Sequence, residues 1–161
     1  MTQRMRSRTP WREKLEKVTE FRLVDTPPKM QQRFGPGKML IARPLDIDAL
    51  IRRIPAGKVA TVNQIMERLA RDHHAATTCP LTTGIFIRII AEVAEEDRRA
   101  GKSEITPYWR VIKSDGSLNP KYPGGTDAQS KHLNEEGHSI EPVKGKKPPK
   151  VKDFERALID F

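Results

Sequence analysis

Residues 107–118 read Pro-Tyr-Trp-Arg-Val-Ile-Lys-Ser-Asp-Gly-Ser-Leu. Pro107 disfavours helix for itself and for the residue before it. Trp109–Ile112 supply the bulky and β-branched side chains that are typical of a strand, and Ser114–Ser117 have the composition of a turn. The segment therefore predicts a loop that leads into a small β-hairpin, with two adjacent aromatic side chains at its start.

Three helices, each with one apolar face, are predicted ahead of this hairpin. They cover residues 45–54, 61–71 and 82–99. The second begins with a capping box, in which the Thr61 hydroxyl and the Gln64 side chain each bond to the other's backbone N–H. Three helices followed by a hairpin predict a mainly α fold with a small β-hairpin, a winged helix-turn-helix. The third helix would be the recognition helix and Trp109–Leu118 the wing. A short fourth helix, Thr126–Glu136, closed by Gly137, follows.

Charge and length divide the 161 residues into three parts. The net charge of +9 is made of +7 in residues 1–44, −1 in residues 45–141 and +3 in residues 142–161. We assign 45–141 as the winged-helix domain, because it alone carries the helix and hairpin pattern. The basic ends fit either sequence-independent attraction to nucleic-acid phosphates or a solubilising role, and both interpretations stay open.

The two flanking parts carry weaker signals. Apolar residues at helix spacing predict one amphipathic helix over Pro10–Phe21. The proline and glycine residues between 27 and 37 predict an irregular connector, with Met39–Ile41 as a short strand. At the other end, Val143–Lys150 has the composition of a basic linker, and we expect the apolar segment Phe154–Phe161 to fold back on the domain.

Several classes of protein are disfavoured. No apolar run approaches the ~20 residues of a membrane span and no signal-peptide pattern opens the chain, so we expect a soluble cytoplasmic protein. Cys79 is the only cysteine, which excludes an intrachain disulfide and a thiolate metal cluster. His73 and His74 have no other ligands nearby in the sequence, so they are expected in an exposed loop. No metal or other cofactor is expected.

Six short segments, in their order along the chain, resemble one known family. They are Ile54–Thr61, Thr82–Gly84, Pro107–Ile112, Ser114–Leu118, Tyr122–Gly125 and Glu136–Gly137. Together they resemble the DNA-binding domain of O6-alkylguanine-DNA alkyltransferases and of their non-enzymatic alkyltransferase-like relatives. The resemblance implies a winged-helix domain that binds double-stranded DNA.

The chemistry of the family's enzymes is missing from this chain. Where they read Pro-Cys-His-Arg, residues 107–110 read Pro-Tyr-Trp-Arg. A phenol with an ordinary pKa near 10 is protonated at neutral pH, so Tyr108 is a poor alkyl acceptor. Trp109 donates an N–H but cannot relay protons. Cys79 is the only remaining thiol, and a buried structural thiol is the favoured interpretation of it. We therefore expect no enzymatic activity.

The winged-helix pattern and the resemblance together define the expected site. The expected DNA contacts are Thr61, Asn63, Leu81, Thr82, Thr83, Gly84, Arg88 and Ser114. The expected base pocket is lined by Tyr108, Trp109, Arg110, Tyr122, Pro123 and Gly124. Leu81 occupies the position of an arginine that the family inserts into DNA, and an apolar side chain can still unstack bases there. The aromatic residues either stack on a base or plug the pocket. We expect Glu136 to act as a cap or to pair with Arg110.

The function predicted from the sequence is that of a non-enzymatic alkyltransferase-like protein. It would bind duplex DNA, recognise alkylated guanine by base flipping and recruit repair proteins. The alternative is a winged-helix protein-interaction module that has no specific DNA binding. An alkyltransferase that uses Cys79 is the third and weakest hypothesis.

Overall fold

The computed structural model describes residues 10–142 and 145–161. The basic segment 1–9 and residues 143–144 of the predicted linker lie outside these ranges. The helices of the described part are α1 (Trp11–Lys17), α2 (Pro28–Phe34), α3 (Pro44–Arg52), α4 (Val62–Asp72), α5 (Pro80–Arg99) and α6 (Gly125–Glu135). The strands are β1 (Arg22–Asp25), β2 (Lys38–Ile41), β3 (Ala60–Thr61), β4 (Thr77–Thr78), β5 (Val111–Ile112), β6 (Ile140–Glu141) and β7 (Lys150–Val151).

The three predicted helices of the domain are confirmed as α3, α4 and α5. The apolar faces of α3 and α4 are buried in one core, as their helical periodicity requires. The capping box of α4 is present, with Gln64 N–H donating to the Thr61 hydroxyl at 3.1 Å and the Gln64 side chain accepting from Thr61 N–H at 2.9 Å. Helix α5 begins at Pro80, two residues earlier than expected, because proline suits the first turn of a helix. The mainly α winged-helix fold is thus confirmed.

The chain reverses after Pro107 as predicted, but Tyr108–Arg110 form a 3-10 helix, so the strand predicted over Trp109–Ile112 is shortened to β5, and β5 has another partner. Lys113 N–H donates to Ser117 O at 2.9 Å across the turn. Strand β5, however, pairs in parallel with β3, while Ser117 bridges antiparallel to Lys150. Gly116 has φ +88°, and a Cβ there would collide with the Phe154 ring. The wing is therefore a tight turn supported by the C-terminal segment.

The N-terminal part contains more regular structure than the sequence indicated. The predicted helix Pro10–Phe21 is wrong in length, because α1 ends at Lys17 and Val18 is already extended. The connector predicted to be irregular holds α2, with Pro28 in its first turn and Gly35 (φ +78°) after its last. Strand β1 was not predicted; it pairs antiparallel with β2, which pairs in parallel with β4.

The C-terminal segment folds back on the domain, as expected. Val59 N–H donates to Ala157 O at 2.9 Å, and Ile159 N–H donates to Val59 O at 2.8 Å. The Gln64 side-chain amide also donates to Ile159 O at 2.8 Å. These bonds attach the segment beside the start of α4. The predicted fourth helix is α6, shifted by one residue toward the N-terminus, with Gly137 (φ +94°) just beyond it.

None of the helices in the described ranges combines the length and the apolar character that crossing a bilayer would need.

Candidate nucleic-acid interface

The N-terminal half of α5 presents one stripe of side chains to solvent. Leu81, Gly84, Ile85 and Arg88 recur at i, i+3, i+4 and i+7, the spacing of a single helix face. Leu81 is 71% exposed and Ile85 is 48% exposed. A Cβ on Gly84 would meet nothing within 4 Å. The stripe is therefore apolar and small, with one cation at its far end.

A groove of about 340 Å³ separates this stripe from the loop after β5. Its other wall is formed by Lys113, Asn119, Pro120 and Lys121. Three lining side chains are cationic and none is a carboxylate. In the part of the chain that the structure describes, Arg88, Lys113 and Lys121 form no ion pair within 4 Å. These unpaired positive charges are available to an anion.

Only part of the expected DNA-contact set lies on this surface. Leu81, Gly84 and Arg88 line the groove, and Ser114 is exposed beside Lys113. The other four have different environments, described next. Lys113, Asn119, Lys121 and Ile85 also line the groove but were not among the expected contacts.

The remaining expected contacts are mainly structural in this fold. Thr83 is buried, and its hydroxyl donates to Cys79 O at 2.7 Å. Thr82 is half-buried beside the same carbonyl, at 3.4 Å. Thr61 is buried and caps α4. Asn63 lies on a second groove, of about 470 Å³, between α2 and α4. Thr61 and Thr83 thus bond within their own helices, and Asn63 faces a different groove.

The expected base pocket is filled by aromatic side chains. Tyr108 is fully buried, and its ring meets Trp109 and Tyr122 edge-on, with centroids 5.4 and 5.3 Å apart. Its hydroxyl donates to Glu95 Oε2 at 2.7 Å. Tyr122 is also buried, and its hydroxyl donates to Val111 O at 3.1 Å. Tyr108 and Tyr122 are therefore part of the core, whereas Trp109 and Arg110 line a neighbouring cavity of about 520 Å³.

The other residues of the predicted pocket either bond to the C-terminal end of α6 or lie at its start. Arg110 forms an ion pair with Glu136, Nη2 to Oε2 at 2.6 Å, and also donates to Ile54 O. Trp109 Nε1–H donates to Glu136 at 3.1 Å. The predicted Glu136–Arg110 pair is therefore confirmed. Pro123 is half-buried, and Gly124 is exposed with φ +79° at the start of α6.

Three residues of this cluster were missed by sequence reasoning. Glu95 accepts from Tyr108, His132 stacks on Trp109 with ring centroids 4.1 Å apart, and Gln129 donates to the carbonyls of residues 109 and 111. Glu95 had a readable signal, since it follows Ile87 and Ala91 at helix spacing on the buried face of α5. A carboxylate on such a face needs a partner.

Burial and pairing shift the pKa values of this cluster. Burial raises the pKa of Tyr108 far above its usual value, and the hydrogen bond to Glu95 raises it further. For Glu95, burial alone would raise the pKa, but hydrogen bonds from Arg98 and Tyr108 outweigh it and the pKa is lowered. For Glu136 too, burial alone would raise the pKa, but hydrogen bonds from Arg110 and Trp109 outweigh it and the pKa is lowered. The phenol thus stays protonated and both carboxylates stay charged near neutral pH.

Metal chemistry has no visible site in the described residues. Within 10–142 and 145–161, no three His, Cys, Asp or Glu side chains are grouped as a metal site would need. Cys79 is buried at the start of α5, in agreement with the favoured interpretation of a structural thiol.

The fold and this face define a winged helix-turn-helix domain with an open basic groove beside its recognition helix. A family model described as "6-O-methylguanine DNA methyltransferase, DNA binding domain" matches residues 46–138. The match covers more than half of the chain, and the chain belongs to this family.

Solved structures of similar fold come from S. pombe. The structure of S. pombe ATL in complex with DNA has a TM-score of 0.51 at 20% identity, covering 73% of this chain and 94% of that chain. S. pombe Atl1 in complex with damaged DNA containing O6-carboxymethylguanine has a TM-score of 0.49 at 21% identity, with the same coverage. No curated protein matches the chain. The first likeness supports the assigned fold.

Proposed function

We propose that this protein is a non-enzymatic, alkyltransferase-like protein that binds duplex DNA through the groove between α5 and the loop after β5. The observation that carries the proposal is the stripe of Leu81, Gly84, Ile85 and Arg88 facing the unpaired cations Lys113 and Lys121. Cations draw in the phosphate backbone, and exposed Leu and Ile side chains suit the apolar contacts of DNA-bending proteins. Family membership and the DNA bound by S. pombe ATL support it.

The absence of alkyl transfer is part of the proposal. Tyr108 stands where the resemblance places the acceptor cysteine, and its buried phenol is held neutral by a raised pKa. A neutral phenol is a weak nucleophile. The Cys79 thiol is buried at the N-cap of α5, so it also lacks access to a DNA base.

Lesion recognition is the finer step of the proposal. An extruded guanine would need the space that the Tyr108 ring fills, so recognition by base flipping requires the Tyr108–Glu95 hydrogen bond to open. A protein that recognises alkylated guanine without repairing it acts by marking the site for other repair proteins. Recruitment of such partners is the biological role that we propose.

The decisive experiment is a binding titration of the full chain with matched duplexes carrying guanine or O6-methylguanine, at several salt concentrations. Duplex binding that weakens with salt is expected, and intact-protein mass should stay unchanged after incubation with the modified duplex. Tighter binding to the modified duplex would support base flipping, and equal binding would limit the function to general DNA binding. A gain of one methyl group in mass would overturn the non-enzymatic assignment.

A protein-interaction module is the second candidate, and one observation favours it. The groove of about 470 Å³ between α2 and α4 has an apolar floor that includes Met66 and Ala70, with Arg33 and Arg71 at its rim. Failure of the full chain to bind any duplex at low salt would favour this candidate over the first.

A further inference from the structure

Helix α1 lies outside the residues that the family model matches, yet its Trp11 ring contacts a residue that lines the proposed DNA groove. The guanidinium of Arg88, which lines the groove, lies over the Trp11 ring with Cζ 5.9 Å from the ring centroid. Lys14 Nζ lies over the same ring at 4.5 Å. Both distances are within the range of cation–π attraction. One aromatic ring of α1 therefore holds two cations beside the recognition helix.

The position of this ring is fixed by the rest of α1. Leu15 is buried in the main core. Arg12 forms an ion pair with Asp97 near the end of α5, at 2.5 Å, and Lys102 approaches the same carboxylate at 3.1 Å. Helix α1 is thus fixed against α5 by the Arg12–Asp97 ion pair and against the core by Leu15, and Trp11 packs against the same core.

The charges around Arg88 leave it available to a ligand. Glu92 lies one turn further along α5; burial raises the pKa of its carboxyl group, and the charge of Arg88 opposes that shift. No ion pair within 4 Å joins Glu92 to Arg88 in the described ranges. Arg88 is exposed, and Lys14 is half-buried. Because both cations share one ring, a phosphate placed near them would relieve their mutual repulsion.

We propose that α1 is part of the DNA interface, with Trp11 as a positioning residue that holds Arg88 toward the groove and Lys14 as an additional phosphate contact. This inference rests on the proposed function. It extends the interface beyond the domain that defines the family, and it gives the N-terminal part of the chain a role in binding.

The test is a salt titration of the full chain and its variants with one unmodified duplex. Arg88→Ala should lose one phosphate contact, which reduces the salt slope by about 0.9 and weakens binding about eight-fold at 0.1 M salt. Trp11→Leu, which keeps an apolar side chain, should weaken binding in the same direction. Trp11→Phe should restore most of the loss, because a ring remains under Arg88. Lys14→Ala should also reduce the salt slope by about 0.9, independently of Arg88→Ala.

Coupling between the two residues separates positioning from general stability. In the Arg88→Ala background Trp11→Leu should weaken binding less than it does in the unaltered chain, and Lys17→Ala, on the same helix, should change the slope by less than half as much as Lys14→Ala. Additive losses in the double variant, or equal slopes for Lys14→Ala and the unaltered chain, would overturn the inference while duplex binding itself stands. Absence of duplex binding by the unaltered chain would overturn the proposed function and this inference together.

Discussion

The segment from Pro107 to Lys121 has two halves with opposite environments. Its first half points inward, with Tyr108, Trp109 and Ile112 buried. Its second half carries Lys113 and Lys121 on the surface of the groove. The polar atoms of the inward half are paired, whereas the two lysines have no carboxylate partner in the described residues. The position that the resemblance aligns with the family's acceptor cysteine is therefore part of the core, and the groove beside it carries exposed positive charge.

From this contrast we expect stability and DNA binding to depend on separate sets of residues. Substitutions in the aromatic cluster should change the free energy of unfolding, because they create cavities or leave buried charges unpaired. Substitutions along the groove should change DNA affinity and leave folding intact, because exposed side chains contribute little to stability.

Replacing Tyr108 with alanine should lower the free energy of unfolding by about 3–5 kcal/mol, the usual cost of deleting a buried aromatic ring. Tyr108→Phe keeps the ring and removes the hydrogen bond to Glu95, so the loss should be about 1.5–3 kcal/mol. Urea unfolding followed by circular dichroism measures both. A loss below about 1 kcal/mol for the alanine variant would mean that the ring does not fill the core as described.

Replacing Glu136 with alanine should cost about 3 kcal/mol, because it leaves the charge of Arg110 without its partner. The two side chains are 13% and 15% exposed, respectively, so water can replace only part of the lost interaction. Glu135 is the matched control, since it precedes Glu136 in the chain and is exposed. Glu135→Ala should change the free energy of unfolding by no more than about 0.5 kcal/mol. Equal effects of the two substitutions would contradict the ion-pair assignment.

Acid should weaken the folded state through the same cluster. Burial would raise the pKa values of Glu95 and Glu136, but their hydrogen bonds lower them below the ordinary 4.5. Their contribution to stability is therefore complete above pH 4.5 and is lost as the pH falls through the lowered values. Burial lowers the pKa of His132 below 6.5, so protonation of the unfolded chain should begin to reduce stability below pH 6.5.

Urea unfolding between pH 7 and pH 3 measures this dependence. Glu136→Gln should flatten the part of the curve below pH 4.5, and His132→Gln should flatten the part just below pH 6.5. A stability that rises as the pH falls from 6.5 would show that the buried groups are not paired as in the structure.

Local patterns predicted much of the domain from sequence. The capping box of Thr61 and Gln64 and the apolar face of α3 need only neighbouring residues, so their prediction was accurate. The Glu136–Arg110 pair followed from the family resemblance. Strand β5 was harder, because its parallel partner β3 lies about fifty residues away and neither strand exceeds two residues. Strands this short leave no alternation to detect.

The candidate site shows the same limit. Exposure of Leu81 could be expected from its place at the start of the recognition helix. Burial of Thr83 could not, because a threonine can bond back to its own helix as well as outward. The partnership between Tyr108 and Glu95 joins the loop to α5 and depends on how the tertiary structure packs. The contact of Trp11 with Arg88 likewise needs the docked position of α1.

Substitutions in the exposed apolar stripe should have the smallest effect on folding. Their effect should appear in DNA binding instead. Leu81→Ala and Ile85→Ala should each change the free energy of unfolding by no more than about 0.5 kcal/mol, because both side chains face solvent. Each should weaken duplex binding by about five-fold, since burying part of an aliphatic side chain against DNA contributes on the order of 1 kcal/mol. The salt slope should not change, because no charge is removed.

Arg88→Ala is the matched control on the same stripe, and it should reduce the slope. If the leucine and isoleucine variants bind as tightly as the unaltered chain while Arg88→Ala binds more weakly, the groove attracts phosphates but the apolar stripe does not touch the duplex.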